Sequence, residues 1–244
     1  MAQTSFSGTI QIAGQDVQKE SSTQLHALGS YAETPDGRGF RYAKVGATAT
    51  VPGKVYQGPA EDTTNQNPSG GLAVSAAAIG DTTVTLTGSL TLAANLLAGG
   101  YMCVVVTPGL GQIYRVKGNT VVAGATGCVV TLEDPIRVAL TTSSKVSFRK
   151  HLYDGVVVAP ATMTNSIAGV AVGIITAAYY GWLQTKGPVS CLQTGTGTCG
   201  TALGVLQGGT IGSLAPAIAG TPIVGWCMGT VITGEYGPVY LTMD

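Results

Sequence analysis

Short apolar runs rich in β-branched residues alternate with glycine, proline and asparagine along most of this chain. The runs occupy residues 41–45, 82–88, 101–107, 112–118, 127–134, 136–140, 145–150, 155–160, 168–185, 221–234 and 237–243. Several of them alternate apolar and polar residues, which is the period of a half-buried strand. Glycine, 36 of 244 residues, recurs between the runs where tight turns need it. The pattern predicts an all-β fold, a sandwich or barrel-like arrangement of short strands.

Helical periodicity is rare in this sequence. The one helix candidate is Leu90–Leu97, LTLAANLL, which is short and is followed by Gly99 and Gly100. Glycine commonly ends a helix because it accepts the left-handed backbone conformation of the last turn. The sequence therefore predicts one short helix in an otherwise β-rich chain.

Composition divides the chain into four regions. These are an extended N-terminal arm (1–30), a first β segment with a Pro/Asn/Gly loop (31–80), a compact β unit (81–150) and a Gly-rich, charge-poor β half (151–244). The arm is polar and irregular, and the loop at 57–71 is the best internal boundary. We expect the last region to form one sheet system with residues 31–56.

Charge is scarce and unevenly distributed. Charged residues make up 10 % of the chain, whereas globular proteins average about 25 %. The segment 33–44, ETPDGRGFRYAK, holds five of them, while residues 155–234 contain only Lys186. A surface so thinly charged, with a net charge of zero, favours association. We expect identical subunits or a larger assembly to cover much of this surface. The net charge of zero gives no indication of a basic surface that would bind nucleic acid.

A membrane span is the alternative explanation for an uncharged stretch. Residues 166–183 are free of charge and reach the lower length of a transmembrane helix. Glycine and β-branched residues within this stretch favour buried strands instead, and it has no basic flank. The first residues, MAQTSFSGTIQIAG, lack the basic start and apolar run of a signal peptide, so export is not indicated.

No motif predicts catalysis, a cofactor or a metal. The string GTGTCG at 195–200 matches a dinucleotide-binding pattern, but the following residues are too glycine-rich for the required helix, so we interpret it as a loop. His151 and Asp154 could act as a base and its orienter, yet no serine or cysteine elbow accompanies them. The five cysteines lack zinc spacing and are expected to be small buried thiols. We predict that the chain is not an enzyme.

Arginine and aromatic residues are favoured anchors of protein interfaces. On that ground the candidate assembly contacts are Tyr31, Arg38, Arg41, Tyr42, Trp182 and Trp226. Two alternatives remain open. The charges near Tyr42 suit an edge strand that resists unwanted pairing, and each tryptophan follows a glycine in a β run, where core packing is the ordinary role.

Several segments resemble small structural proteins of tailed bacteriophage heads. They are GRGFRYAKVGAT (37–48), GKVYQGPA (53–60), GGYMCVVVTPGLGQIYRVKGN (99–119), VVTLEDPIRVALTTSSKV (129–146), YDGVVVAPAT (153–162), AGVAVGIITAAYYGWLQTKGPV (168–189) and PIVGWCMGTVITGEYGPVYLTMD (222–244). The resemblance implies a decoration, or cement, protein bound outside the major capsid protein. It implies a β-rich homo-oligomer, a trimer in the expected case, that reinforces the shell and is attached through an arm, here residues 2–30.

On this interpretation the chain assembles in the host cytoplasm and resides on the exterior of the virion capsid. It needs no cofactor and touches neither nucleic acid nor membrane. Another phage component, such as a tail, fibre or minor head protein, is the first alternative, and a cell-surface β protein is the second. Fibres usually show sequence repeats, and none is visible here.

Overall fold

The computed structural model of the chain describes residues 8–205 and 209–244, and it confirms the all-β prediction. The strands are β1 Ile10–Gln11, β2 Tyr31–Glu33, β3 Gly39–Val45, β4 Val55–Gln57, β5 Leu72–Ala73, β6 Thr83–Leu86, β7 Leu90–Leu92, β8 Tyr101–Val106, β9 Ile113–Asn119, β10 Val122–Ala125, β11 Cys128–Leu132, β12 Lys145–Arg149, β13 Asp154–Val158, β14 Ile167–Ala171, β15 Tyr180–Leu192, β16 Ala202–Gly204, β17 Ala215–Pro216, β18 Ile223–Cys227 and β19 Tyr236–Thr242. A single 3-10 turn, Asp16–Gln18, is the only helical element among the described residues.

The chain folds as two compact units. Unit 1 combines residues 1–59 with residues 152–244, and unit 2 comprises residues 60–151. The division therefore falls at residue 59, and residues 60–80, which composition groups with 31–59, belong to unit 2. Strands from 31–57 and from 154–242 lie in one sheet of unit 1.

Five strands of unit 1 close into a small barrel. The ring of pairings runs β3–β13–β4–β14–β15 and returns to β3, with β3–β13 parallel and the others antiparallel. Ala43, Val45, Tyr56, Val156 and Leu183 are among the buried residues of one shared core cluster. Closure leaves no free edge between these strands, which is how small β folds protect their backbone groups.

Strand β15 extends well beyond the barrel. Its last residues, 186–192, pair with β19, and the sheet continues through β18, β16 and β17. We call this part the extension sheet. Its inner face, which includes Cys227, Val239 and Leu241, packs on Val55 and Val170 of the barrel strands. Strands β4 and β14 are consequently covered on both faces, which explains their nearly continuous burial.

Unit 2 is a second closed ring of strands. Its order is β5–β12–β8–β9–β11–β6, and an isolated bridge between Val74 and Leu86 joins β6 back to β5. Strands β7 and β10 form a separate antiparallel pair. Nineteen buried residues, among them Met102 and Phe148, form one core cluster in this unit.

The prediction of a helix at Leu90–Leu97 is wrong. Residues 90–92 form β7, in which Leu90 and Leu92 are buried and Thr91 is exposed. The chain then turns, because the side chain of Asn119 accepts a hydrogen bond from the Leu97 amide at 2.9 Å and donates one to the Ala93 carbonyl at 2.9 Å. These bonds offer the backbone an alternative to helical hydrogen bonding.

The N-terminal arm lies against unit 1 where it is described, and residues 1–7 lie outside the described part. Strand β1 pairs in parallel with β2, and Ser21 exchanges backbone hydrogen bonds with Tyr180 at 3.0 and 2.9 Å. Val17 is buried in a cluster with Phe40, Tyr42 and Trp182. Most of the remaining described arm is irregular.

The cysteines differ in their environments. Cys128, Cys191 and Cys227 are buried, whereas Cys103 is half-buried and Cys199 is exposed. Burial raises the pKa of the Cys191 thiol to about 12, which keeps it protonated and inert. The expectation of buried thiols therefore fails for Cys199, because its glycine-rich loop has no apolar run to cover it.

Gly225 of β18 lies against the backbone of β19, and its substitution tests this packing. A Cβ atom there would collide with the backbone carbonyl of Tyr240 and lie 3.1 Å from the Cα atom of Leu241. We expect Gly225→Ala to destabilise unit 1 by about 1–3 kcal/mol, because backbone atoms cannot yield as a side chain can. Both tryptophans lie in unit 1, so urea unfolding followed by tryptophan fluorescence measures the loss.

The matched control is Gly173→Ala in the same unit, where an added Cβ would make only ordinary van der Waals contact, 3.5 Å from the Cβ atom of Gln18. Its stability should stay within about 1 kcal/mol of the parent chain. Equal stability of Gly225→Ala and the parent would show that β18 and β19 are not packed as described.

Candidate functional site

The six candidate contact residues all lie in unit 1, but the structure divides them between interior and surface. Tyr31 is on β2, Arg41 and Tyr42 are on β3, Arg38 precedes β3, Trp182 is on β15 and Trp226 is on β18. The first five lie near one another along β2, β3 and β15, whereas Trp226 belongs to the extension sheet.

Tyr42 and Trp182 form a buried aromatic pair. They are direct cross-strand neighbours with ring centroids 4.9 Å apart, and they are 2 % and 4 % exposed. His26 of the arm lies 5.1 Å from Tyr42 and 5.3 Å from Trp182 between ring centroids. The Tyr42 hydroxyl accepts a hydrogen bond from the Leu25 amide at 3.2 Å. The chain's own arm therefore covers both residues, and core packing, not a partner contact, describes them.

Arg41 is held by groups within the chain. Its guanidinium donates to both carboxylate oxygens of Asp244, at 2.9 and 3.1 Å, and to the Gly29 carbonyl at 2.9 Å. It also lies over the Tyr31 ring, 5.0 Å from the centroid. A bidentate pair of this kind fixes orientation as well as charge. Arg41 thus joins three distant segments of unit 1 instead of projecting toward a partner.

Burial and hydrogen bonding act in opposite directions on Asp244. Burial raises the pKa of its carboxyl, but hydrogen bonds from Arg41 and Thr185, together with the nearby positive charges, outweigh burial and hold the pKa below its ordinary value. Charge on Asp244 is therefore favoured in the folded state.

Arg38 directly follows a turn at Pro35–Gly37. The Gly37 amide donates to the Thr34 carbonyl at 2.9 Å, and Gly37 has a φ of 84°, which glycine adopts without strain. Arg38 Nε donates to Asp36 Oδ2 at 2.8 Å, and the guanidinium lies 5.8 Å from the Phe40 ring centroid. Arg38 is half-buried, so part of its side chain remains available to a partner.

Trp226 is the candidate that the structure leaves on the surface, and it lies within a larger apolar area. It is 44 % exposed and directly opposite Tyr240, which is 43 % exposed. The outward side chains of the extension sheet around this pair define what we call the aromatic face: Pro188, Ser190, Trp226, Met228, Tyr236, Pro238 and Tyr240.

Sequence reasoning missed the aromatic face except for Trp226. The available signal was the alternation in β19, where Tyr236, Pro238 and Tyr240 point outward while Gly237, Val239 and Leu241 point inward. The pattern alone does not say which of the two faces is covered, so the outward aromatics were not recognised.

Unit 1 also contains an apolar cavity of about 820 Å³. Its wall includes Met163, Ile167, Ile218, Ile223 and Met243. None of its described lining residues is ionisable.

Neither a metal centre nor a membrane-spanning helix occurs within the described ranges 8–205 and 209–244. No three His, Cys, Asp or Glu side chains converge there as a metal site would require. In the same part of the chain, no helix has the length and apolar character needed to cross a bilayer. The GTGTCG segment is a loop between β15 and β16, with Gly195 and Gly200 at positive φ.

Comparison with protein-family models, curated proteins and solved structures found no match to this chain. The similarity to phage head proteins therefore stays an expectation drawn from the sequence.

Truncation of the two tryptophans should lower the free energy of unfolding by different amounts. We expect Trp182→Ala to cost about 3–5 kcal/mol of stability, because it removes the centre of a buried aromatic cluster. Trp226→Ala, at a half-exposed position, should cost less than about 1 kcal/mol. Urea unfolding followed by circular dichroism, at a low protein concentration, gives both values. Similar costs for the two variants would contradict the assignment of Trp182 to the core and Trp226 to the surface.

Asp244→Asn should lower the stability of unit 1 by about 1–3 kcal/mol at pH 7, because it leaves the Arg41 guanidinium without its carboxylate. The pKa of Asp244 is depressed by folding, so its contribution is present above the unfolded value of about 3.9 and is lost as pH falls through the folded value. Parent and variant should therefore converge in urea melts as the pH is lowered below the unfolded value.

Glu133→Gln provides the control, since the Glu133–Arg115 pair is exposed and longer, at 3.5 Å. Its removal should cost less than about 1 kcal/mol. A gap between parent and Asp244→Asn that stays constant from pH 7 to pH 2 would rule out the ion pair as its cause.

Proposed function

We propose that this chain is a structural virion protein, a capsid decoration protein that binds the outside of the major capsid protein shell and stabilises the head. In this proposal it acts as a homo-oligomer, without cofactor, nucleic acid or membrane contact. The resemblance of its segments to phage head proteins suggests that the assembly is a phage head. The structure contributes a surface that is suited to a protein–protein contact.

The observation that carries the proposal is the uncharged aromatic face. Residues 187–234 contain no Asp, Glu, Lys or Arg, and the outward side chains of β18 and β19 include Trp226, Tyr236 and Tyr240. A contiguous apolar surface of this kind on a folded chain marks an interaction site or an aggregation liability. A protein that functions within an assembly covers such a surface.

The charges of unit 1 support the same interpretation. Arg41 is paired with Asp244, Arg38 with Asp36 and Lys186 with Glu33. These pairs lie on or beside the barrel strands, and Lys186, at the first residue of the extension sheet, is the only charged residue among the described strand residues of that sheet. A net charge of zero also suits the exterior of a shell, because a protein that faces packaged DNA is expected to be basic.

The physical effect of a decoration protein is additional buried contact area between neighbouring capsomers. One standard interface of ~1,600 Å² is modest, but icosahedral symmetry repeats it many times. The sum resists the pressure of packaged DNA. Rigid closed β units suit this role because a ring of paired strands deforms little under load.

Quantitative mass spectrometry of purified virions tests the proposal. We expect the chain in hundreds of copies per particle, in fixed proportion to the major capsid protein, and we expect purified chain to co-sediment with heads that lack it. Heads to which the purified chain has been added should withstand heating or osmotic shock better than heads that lack the chain. Bovine serum albumin, added at the same concentration, controls for trapping in the pellet.

A few copies per particle, or label restricted to the tail, would overturn the decoration role and favour a minor virion component. Absence from particles together with recovery in detergent extracts of cells would favour a surface β protein.

A further inference from the structure

The aromatic face is arranged in two rows across three strands. In the first row Trp226 of β18 pairs with Tyr240 of β19, which pairs in turn with Pro188 of β15. In the second row the Met228 amide donates to the Pro238 carbonyl at 2.9 Å, and Pro238 pairs with Ser190. Adjacent strands lie about 4.8 Å apart, so the rows form a continuous apolar surface.

A shallow depression of about 350 Å³ lies along the second row, next to the row that contains Trp226. Its wall includes Pro188, Ser190, Met228, Tyr236 and Pro238, all members of the aromatic face. The face therefore carries a half-exposed tryptophan in one row and a shallow hollow in the neighbouring row. Interface anchors are typically aromatic side chains that enter pockets of this kind.

Charge does not oppose the approach of two such faces. The charged residues nearest along the strands are Lys186 and Glu235, which flank the uncharged span. Lys186 is already paired with Glu33 at 3.5 Å, and Glu235 accepts a hydrogen bond from the Ile232 amide at 3.3 Å. Two copies brought face to face would thus meet through apolar side chains rather than like charges.

The exposed area of the face limits how much surface two copies can bury against each other. A free aromatic side chain presents roughly 200 Å², so Trp226, Tyr236 and Tyr240, exposed by 44, 50 and 43 %, supply roughly 300 Å². The smaller members raise the face to on the order of 500 Å², near the upper limit for a monomer. Two faces would bury ~1,000 Å² in total, the lower limit for a specific interface. This area corresponds to a reversible dimer, not to a permanent one.

We propose that the aromatic face binds the same face of a second copy of this chain, with Trp226 of each copy seated in the depression of the other. A two-fold axis makes such a contact self-complementary, because the half-exposed tryptophan and the hollow each occur once per copy. The inference rests on the proposed function only in that both require the face to be covered. It assigns the cover to a second copy rather than to the capsid protein.

Sedimentation equilibrium of the purified full-length chain, without heads, tests this inference. We expect a monomer–dimer equilibrium, with a dimer mass twice the 24.6 kDa of the chain and a dissociation constant on the order of tens of micromolar. Trp226→Thr should raise that constant at least about tenfold, because it removes the anchor. Tyr240→Lys should do the same by placing a charge in each face.

Tyr101→Thr is the matched control. Tyr101 is 44 % exposed, as Trp226 is, but it lies on β8 of unit 2. Its dissociation constant should stay within about twofold of the parent value. Circular dichroism and the urea midpoint, measured on all the variants at low concentration, confirm that each is folded.

Three results would overturn the inference: a monomer at several hundred micromolar, a trimer such as the phage resemblance implies, or a dimer whose dissociation constant neither variant changes. Each leaves the decoration role intact as long as the chain still binds heads. Conversely, a dimer that requires Trp226 but never binds heads would support the inference and reject the proposed function.

Discussion

Strand β15 is the element on which the architecture of unit 1 depends. It runs for 13 residues, and its first half closes the barrel by pairing with β3 and β14. Its second half pairs with β19 and so begins the extension sheet. Because side chains alternate between faces, the register of this one strand decides which residues of β19 and β18 point inward. A shift by one residue would bury Tyr240 and expose Val239.

The closed barrel and the extension sheet use charge differently. Beside the barrel, the ion pair between Arg41 and Asp244 connects segments that are distant in sequence. Strand pairing and apolar burial stabilise the extension sheet, and Lys186, at its first residue, is the only charged residue among its described strand residues. The uneven distribution of charge along the chain thus becomes an uneven distribution over the fold, and this unevenness connects the composition to the proposed assembly role.

Local sequence predicted strands well and predicted side-chain burial poorly. Trp182 and Trp226 both follow glycine within a β run, yet one is buried and the other is half-exposed. The difference comes from the arm, because His26 and its neighbours cover the face that holds Trp182. The helix expected at Leu90–Leu97 failed for a similar reason: the side chain of Asn119, distant in sequence, bonds the backbone there.

The sequence by itself determined that this protein is built of short strands, where several of its turns fall and which long span carries no charge. These properties depend on neighbouring residues, so a local pattern contains them. Only the tertiary structure decided that strands close into rings, that Arg41 pairs with Asp244 and that residues 8–205 and 209–244 leave the outward side of β18 and β19 half-exposed. Each of these depends on segments far apart in sequence, and the two-residue period of a strand is the same whichever of its faces is buried.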